Sequence, residues 1–223
     1  MQTSWGKSYF YTLKTITVKY TPLITMKKYG LVILAAGGSS RLGSPKQLLP
    51  YRKDNLLNRI VSTALAVENV IAVVVIGAEK EAIKHTIAEA KILIVVNDNW
   101  ASGMASSIKM GLTAVTKIDP AIQGCIFTVC DQPYITVSLL AELLTKHRNT
   151  NKAIIAAEYA GTYGTPVLID KRYFDELMNL QKEEGAKKLL HKYMNDLATI
   201  TFNGGEVDID TKEDYKKLID ADR

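Results

Sequence analysis

A glycine-rich segment that carries two cations stands out near the start of the chain's regular pattern. Residues 34–46 read LAAGGSSRLGSPK. Glycines let backbone N–H groups approach phosphate closely, and the hydroxyls of Ser39 and Ser40 can donate hydrogen bonds. Arg41 and Lys46 supply two positive charges suited to a triphosphate. The segment therefore predicts a triphosphate-binding loop.

Two better-known glycine loops do not fit this segment. Gly38 and Gly43 have the spacing of a Walker A loop, but Ser44 and Pro45 stand where Lys-Ser/Thr is required. The GxGxxG pattern is also missing, which disfavours a nicotinamide-dependent oxidoreductase. A glycine-rich surface loop with scattered basic residues is the non-functional alternative.

Carboxylates follow two later extended segments. Asp131 comes directly after an apolar run, where it can hold Mg²⁺ against phosphate oxygens or cap a turn. Asp208 and Asp210 are two apart and point to the same face of an extended segment. They can complete the metal site, although Thr211 is also a good helix N-cap.

Further polar segments can contact a nucleotide or an acceptor. In NDNWASGMASS, Asn97 follows a predicted strand and Gly103 precedes a helix whose first N–H groups favour anions. Ser106 and Ser107 lie in its first turn, while Trp100 is expected to pack rather than to stack on a base.

Two other residues are candidates for an acceptor site. Thr165 lies in a turn, GTYGTP, that enters a strand. Lys187 can meet an anionic acceptor, although a solvated helix face is the simpler explanation for this lysine and its neighbour Lys188.

Alternating strands and helices must position these residues. Strands spaced by helices of about 10–15 residues indicate βαβ units and a mainly parallel sheet. In such sheets ligands bind beyond the carboxyl ends of the strands. The predicted strands are 31–36, 70–76, 92–96, 125–129, 153–157, 166–169, 198–202 and 207–209. The predicted helices are 55–67, 79–90, 104–115, 136–147, 171–180, 185–194 and one from Thr211.

Composition limits the possible functions. The 223 residues suffice for one α/β domain, and no apolar run approaches the roughly 20 residues that span a bilayer. The net charge of +5 comes from residues 1–28, which contain lysines but no acidic residue, and the remainder is formally neutral. We therefore expect neither nucleic acid nor membrane as a partner.

The cysteines and histidines suggest no metal cluster. Cys125 and Cys130 are five apart in one predicted strand, so they point to opposite faces and should be reduced thiols in a cytoplasmic protein. His85, His147 and His191 have no ligand spacing and are predicted to lie on helix surfaces.

Residues 1–25 are expected to be an extension outside the fold. They lack the apolar core of a signal peptide and the arginines of a mitochondrial presequence. Met26 leads directly into the first strand, so we hypothesise that it is the natural start and that residues 26–223 form a single domain.

Together these segments resemble the nucleotidyltransferase family that contains molybdenum cofactor cytidylyltransferases and guanylyltransferases. The resemblance runs from about Gly30 to the C-terminus and rests on LAAGGSSRLGSPKQLLP, NDNWASGMASSIKMGL, CDQP, GTPVLI, EEGAKKLL and DIDTKEDY. It implies a Rossmann-like three-layer nucleotidyltransferase fold with a mainly parallel sheet. It also implies Mg²⁺-dependent transfer of a nucleoside monophosphate.

The resemblance assigns roles to the candidate residues. Arg41 and Lys46 would contact the triphosphate, Asp131 would bind Mg²⁺, and Asp208 or Asp210 would supply a second acidic ligand. The implied nucleotide-binding residues are Leu34, Ala35, Ala36, Gly37, Gly38, Ser39, Ser40, Asn97, Gly103, Ser106 and Ser107.

The substrate expectation is CTP with molybdopterin, or the molybdenum cofactor, as acceptor. The LAAG sequence at residues 34–37 resembles the cytidylyl branch, whereas the guanylyl branch usually has LAGG, and Ala36 narrows the room for a larger base. Two departures concern the acceptor. Thr165 stands where the family often has the histidine of Gly-His-Pro. Lys187 stands where the family has the arginine of Gly-Ala-Arg, so a bidentate fork is lost.

Several alternatives stay open on the sequence. The nucleotide can be GTP, or the acceptor can be a sugar or alditol phosphate. The chain can also be a non-catalytic nucleotide-binding factor that matures a molybdenum enzyme. A molybdenum enzyme or its chaperone is the protein partner that the resemblance suggests.

Overall fold

The computed structural model describes residues 9–13, 16–20, 29–87 and 91–222. Its strands are β1 (Tyr9–Leu13), β2 (Ile16–Tyr20), β3 (Tyr29–Ala35), β4 (Pro50–Tyr51), β5 (Asp54–Asn55), β6 (Val70–Ile76), β7 (Leu93–Val96), β8 (Gly124–Val129), β9 (Ile154–Tyr159), β10 (Thr162–Asp170) and β11 (Leu197–Thr201). Its α-helices are α1 (Leu56–Leu65), α2 (Lys80–Thr86), α3 (Met104–Ile118), α4 (Val137–Asn149), α5 (Phe174–Met178), α6 (Lys187–Lys192) and α7 (Lys212–Ala221).

Seven strands form one sheet in the order β11-β9-β10-β8-β3-β6-β7. Every neighbouring pair is parallel except those of β10, which runs antiparallel to both β8 and β9. Strand β3 is almost wholly buried, which explains its continuous apolar sequence. The predicted mainly parallel α/β architecture is confirmed.

Helices cover both faces of the sheet and give three layers. One buried cluster includes Leu57 of α1 and Leu140 of α4, and the other includes Ile108 of α3 and Leu190 of α6. Cys130 belongs to the first cluster and Cys125 to the second, so the two thiols lie on opposite faces, as predicted, and both are free.

The strand order contains a switch point beside β3. From β3 the chain moves outward through β6 and β7, then returns to the other side of β3 with β8. The loops that leave the carboxyl ends of β3 and β8 therefore separate and form a crevice, which is where open α/β sheets bind ligands. These loops carry Lys46 and Asp131 respectively.

Two local predictions differ from the structure. The predicted strand at residues 207–209 is wrong, because the Ile209 amide donates to the Asp131 carbonyl but the neighbouring residues form no ladder. The β4–β5 hairpin was not predicted, since two-residue strands are too short to show alternation. Thr211 caps α7 with a capping box, as expected.

The described part of the predicted N-terminal extension forms a separate two-stranded antiparallel sheet. Strand β1 pairs with β2 from Tyr9↔Tyr20 to Leu13↔Ile16, outside the seven-stranded sheet. Met26 lies outside the described residues, so the boundary there stays a prediction. In the part of the chain that the structure describes, no helix is long and apolar enough to cross a membrane.

Candidate active site

The glycine-rich loop after β3 is folded by short local hydrogen bonds. Ser39 has φ of 50° and Gly43 has φ of 75°, and the Leu42 amide donates to the Ser39 carbonyl at 3.0 Å. The Lys46 amide donates to the Ser39 hydroxyl at 3.0 Å, so this predicted nucleotide-binding group already stabilises the loop. Ser40 and Arg41 are exposed at its surface.

An apolar contact brings this loop to the C-terminal segment. Leu42 is buried in a small cluster with Ile209, which lies between Asp208 and Asp210. The cluster consists of Leu42, Leu49, Tyr51, Leu56, Ile209 and Leu218. Packing of Leu42 against this cluster therefore places Arg41 near the acidic segment.

Gln47 is a positioning residue that the sequence reasoning missed. It is 1% exposed, and its amide nitrogen donates to the carbonyls of Ala35 at 2.8 Å and Gly37 at 3.0 Å. It therefore links the end of β3 to the short 3-10 turn that begins at Lys46. The available signal in the sequence was a polar side chain directly before the apolar pair Leu48 and Leu49.

Replacing Gln47 with methionine should lower the free energy of unfolding by roughly 1–3 kcal/mol, because the buried carbonyl of Ala35 and the partly buried carbonyl of Gly37 lose their donor. Urea unfolding followed by circular dichroism measures the change. Gln181→Met is the matched control, since Gln181 also donates to a backbone carbonyl but is exposed. Equal effects in the two variants would contradict the assigned role.

The loop after β8 is fixed on two sides. The Asp131 carbonyl accepts from the Ile209 amide at 3.0 Å. The buried side chain of Gln132 donates to the Gly205 carbonyl at 2.8 Å and accepts from the Thr165 hydroxyl at 3.0 Å. Sequence reasoning missed Gln132, although it lies in the CDQP segment.

Lys46 joins the two loops and the C-terminal segment. Its ammonium contacts Asp131 Oδ2 at 2.5 Å and Asp210 Oδ1 at 2.9 Å, and Arg41 contacts Asp210 Oδ2 at 2.7 Å. We call Arg41, Lys46, Asp131 and Asp210 the ionic cluster. The structure thus assembles all three predicted catalytic residues at the switch point.

The charges of the ionic cluster shift its titration. Burial alone would lower the pKa of Lys46, but the charge of Asp131 and the hydrogen bonds to Asp131 and Asp210 outweigh burial and raise it. The hydrogen bond from Lys46 is the largest cause that lowers the pKa of Asp210. Asp208 is largely exposed. The pKa of its carboxyl is nevertheless raised, first by partial burial of that group and then by the nearby charges of Asp131 and Asp210.

The carboxylates fit a metal that is shared with phosphate rather than a closed protein cage. Among the described residues, no three His, Cys, Asp or Glu side chains are grouped to hold a metal ion. Asp131 and Asp210 nevertheless face one ammonium, and Mg²⁺ commonly takes one or two carboxylates together with substrate phosphates. Asp208 and Asp210 were the two candidates for the second acidic metal ligand. Asp210 belongs to the ionic cluster, while Asp208 lies beside it.

The residues next to the loop glycines differ in burial, and Trp100 packs against one of these glycines. Leu34 is partly buried, whereas Ala35 and Ala36 are buried at the end of β3. Gly37 and Gly38 are exposed, and the Trp100 ring lies so close to Gly38 that an added Cβ would be 3.2 Å from it. The expectation that Trp100 packs is therefore supported by its contact with the loop.

The predicted nucleotide-binding residues at the start of α3 form hydrogen bonds with one another. The side-chain Nδ2 of Asn97 donates to the hydroxyls of Ser106 at 2.7 Å and Ser107 at 3.0 Å. Gly103 has φ of 104° and lies against the Lys182 backbone, whose carbonyl accepts from the amide of the second helical residue. The Lys182 backbone therefore already takes up part of the space and one of the free N–H groups at the start of α3.

The two predicted acceptor residues differ in their surroundings. Thr165 lies at a bulge in β10 and orients Gln132, next to Asp131. Lys187 is exposed at the start of α6, and within the described residues it forms no hydrogen bond or ion pair with the ionic cluster. The structure does not bring Lys187 into the cluster.

A Rossmann-like sheet with a glycine-rich loop, two cations and two carboxylates at its switch point defines a nucleotidyltransferase, and the chain is an enzyme of this class. Residues 31–197 match the family model described as the MobA-like NTP transferase domain, and the chain belongs to that family. Members bind nucleoside triphosphates and phosphorylated acceptors, and they typically depend on a divalent metal ion.

Three similar proteins cover most of the chain. Nicotine blue oxidoreductase of Paenarthrobacter nicotinovorans is 31% identical over 84% of this chain and 95% of that protein. Molybdenum cofactor cytidylyltransferase of Escherichia coli K12 is 25% identical over 85% and 95%. The crystal structure of Rv0371c from Mycobacterium tuberculosis H37Rv, a complex with manganese, is 26% identical with a TM-score of 0.74, covering 87% and 99%.

Proposed function

We propose that this chain transfers CMP from CTP to the phosphate of molybdopterin or of the molybdenum cofactor and releases pyrophosphate. The observation that carries the proposal is the contact of Lys46 with both Asp131 and Asp210 across the switch point. The LAAG sequence at residues 34–37 and the cytidylyltransferase relative favour cytosine as the base. Reduced, buried Cys125 and Cys130 support a cytoplasmic location.

The chain's own residues would contribute position and charge. An acceptor phosphate oxygen attacks the α-phosphorus of CTP in line, and the bond to the β-phosphate oxygen breaks. Lys46 and Arg41 neutralise the charge that develops on the pyrophosphate, and no covalent intermediate is needed. Mg²⁺, which Asp131 and Asp210 would hold, supplies Lewis-acid polarisation of the phosphate oxygens.

The ion pairs of the ionic cluster affect how a nucleotide can bind. Within the ionic cluster, Asp131 and Asp210 already neutralise the cations of the loop. A triphosphate that arrives alone would have to compete with both carboxylates for Lys46 and Arg41. A triphosphate with Mg²⁺ offers each carboxylate a new partner, so we expect nucleotide binding to require the metal ion.

A thermal-shift panel of CTP, GTP, UTP and ATP, with and without Mg²⁺, tests binding. CTP with Mg²⁺ should give the largest rise in apparent melting temperature, because a ligand that binds only the native state stabilises it. Each nucleotide without the metal ion should give a small shift. If no nucleotide stabilises the chain under either condition, the proposal fails.

Pyrophosphate release then tests turnover. The assay combines each nucleotide with molybdopterin, a sugar phosphate or an alditol phosphate, which separates the acceptor alternatives. Release with GTP would correct the base, and tight CTP binding without release would favour a non-catalytic maturation factor.

The oxidoreductase relative supports a second candidate, because its identity to this chain is 31%. Oxidation of NADH or NADPH with a dye acceptor, in the absence of pyrophosphate release, would favour that candidate. The chain's lack of GxGxxG argues against it.

A further inference from the structure

A second cleft opens at the amino ends of the parallel strands, at the end of the sheet opposite the ionic cluster. Its volume is about 570 Å³, and Tyr29, the first residue of β3, forms part of its wall. The glycine-rich loop follows the other end of β3, and seven residues at about 3.3 Å each separate the two places by roughly 20 Å. The cleft is therefore distinct from the candidate active site.

The largely buried side chain of His147 forms the back of this cleft, so the prediction that His147 is a surface residue is wrong. Its side chain is 9% exposed. Its Nδ1 hydrogen-bonds the Tyr29 hydroxyl at 3.1 Å, and its Nε2 contacts Asp170 Oδ2 at 2.8 Å. Because both ring nitrogens are engaged, the wall has a defined geometry before any ligand binds.

Asp170 does not neutralise all of the cations that line the cleft. Its Oδ2 faces His147, and its Oδ1 accepts from the backbone N–H and the Nε of Arg172. Arg148 and Lys171 donate to backbone carbonyls, at 3.2 Å and 3.3 Å, and neither forms an ion pair with a carboxylate in the described part of the chain. Two positive charges therefore face the cleft without an anionic partner.

This local excess is not a reflection of the whole chain. Outside residues 1–28 the acidic and basic residues are equal in number. Arg148 lies in the last turn of α4, where a cation complements the helix dipole, but that role requires neither the cleft nor Lys171 from a different element.

We propose that this cleft is a second binding site, for a small phosphate-bearing anion such as a phosphate monoester or pyrophosphate. Arg148 offers a planar fork that suits two phosphate oxygens, and Lys171 adds a point charge. The volume is in the range of small-molecule sites. A local positive excess in a cleft, within residues 29–223 that are formally neutral, fits a small anion better than a nucleic acid.

Histidine NMR gives a direct test, because the chain has three histidines. In a His85→Gln/His191→Gln chain, His147 is the one remaining imidazole. Titration with inorganic pyrophosphate and, separately, with ribose 5-phosphate should shift its ¹H–¹⁵N signals to saturation. Lys46→Ala in the same chain should leave the shift intact, which separates this cleft from the ionic cluster.

Matched charge variants complete the test. Arg148→Ala/Lys171→Ala should weaken the affinity about tenfold or more, since charge-assisted contacts are lost. Lys53→Ala/Lys216→Ala removes the same charge from exposed positions that do not line the cleft and should leave the affinity unchanged. An unmoved His147 signal, an equal shift with sodium chloride of the same ionic strength, or equal losses in the two double variants would overturn the proposal.

Discussion

Replacing Asp131 with asparagine should reduce the rate of nucleotidyl transfer about 10³-fold, because a carboxylate that holds the metal ion is worth several kcal/mol in the transition state. Asparagine has nearly the same size, and the backbone carbonyl that accepts from the Ile209 amide is unchanged. The fold should therefore survive, which circular dichroism and a melting curve can verify. The rate is measured as pyrophosphate release at saturating CTP and Mg²⁺.

Two further aspartates make this prediction specific. Asp210→Asn should also cause a large loss, whereas Asp208→Asn should cause a smaller one, because Asp210 contacts Lys46 and Arg41 directly. Asp119→Asn is the control, since its side chain accepts a local backbone hydrogen bond after α3, and it should retain full activity. An Asp131→Asn enzyme with an unchanged rate would refute the metal assignment.

Replacing Lys46 with alanine should lower kcat/KM on the order of 10²-fold, as for the loss of one preorganised electrostatic donor. It should also lower the free energy of unfolding by roughly 1–3 kcal/mol, because Asp131 and Asp210 would lose a shared, largely buried partner. Lys46→Arg should restore the stability more than the activity, since the charge returns with a different shape.

The pH dependence of stability gives an independent readout of Lys46. In the folded state Lys46 holds the pKa of Asp210 low, so this carboxylate contributes stability above its unfolded-state pKa of about 3.9 and loses it as the pH falls through the lower folded-state value. The stability difference between wild type and Lys46→Ala should thus be largest near neutral pH and shrink below about pH 4.

Lys80→Ala is the matched control for both Lys46 measurements. It removes another ion pair, with Asp98 at 2.6 Å, but both partners are exposed. Exposed pairs contribute about 0–1 kcal/mol, so its stability and kcat/KM should stay near those of wild type. A similar loss in Lys46→Ala and Lys80→Ala would contradict the special role of Lys46.

Most of the fold could be predicted from the sequence, because the periodicity of the apolar residues and the residue types in the loops indicated the same strands and helices. Strand Val70–Ile76 and the start of α3 at Met104 match their predicted positions. The segment that ends at Asp210 looked like a strand because it is extended, but a single hydrogen bond and the burial of Ile209 fix it instead. Such docking depends on a distant loop and leaves no periodic pattern.

The charged residues of the candidate site could be predicted from the sequence, but the side chains that position their loops could not. Arg41, Lys46 and Asp131 follow strands β3 and β8, so the topology brings their loops to the same end of the sheet. The contacts of Gln47 with the end of β3 and of Gln132 with Thr165 could not be predicted, since they depend on which carbonyls and hydroxyls the folded loops leave free. His147 was mistaken for a surface residue because its partners are 118 and 23 positions away.

The acidic partner of both loop cations is synthesised late, since Asp210 lies 164 residues after Lys46. A growing chain on the ribosome can have completed all seven strands, the last of which ends at Thr201, while it still lacks this carboxylate. If Asp210 has the proposed role, we expect the nascent protein to lack transfer activity until Asp210 has emerged and folded back onto the glycine-rich loop. We likewise expect that loss of the segment after Thr201 by proteolysis would remove this carboxylate while leaving all seven strands of the sheet in the chain.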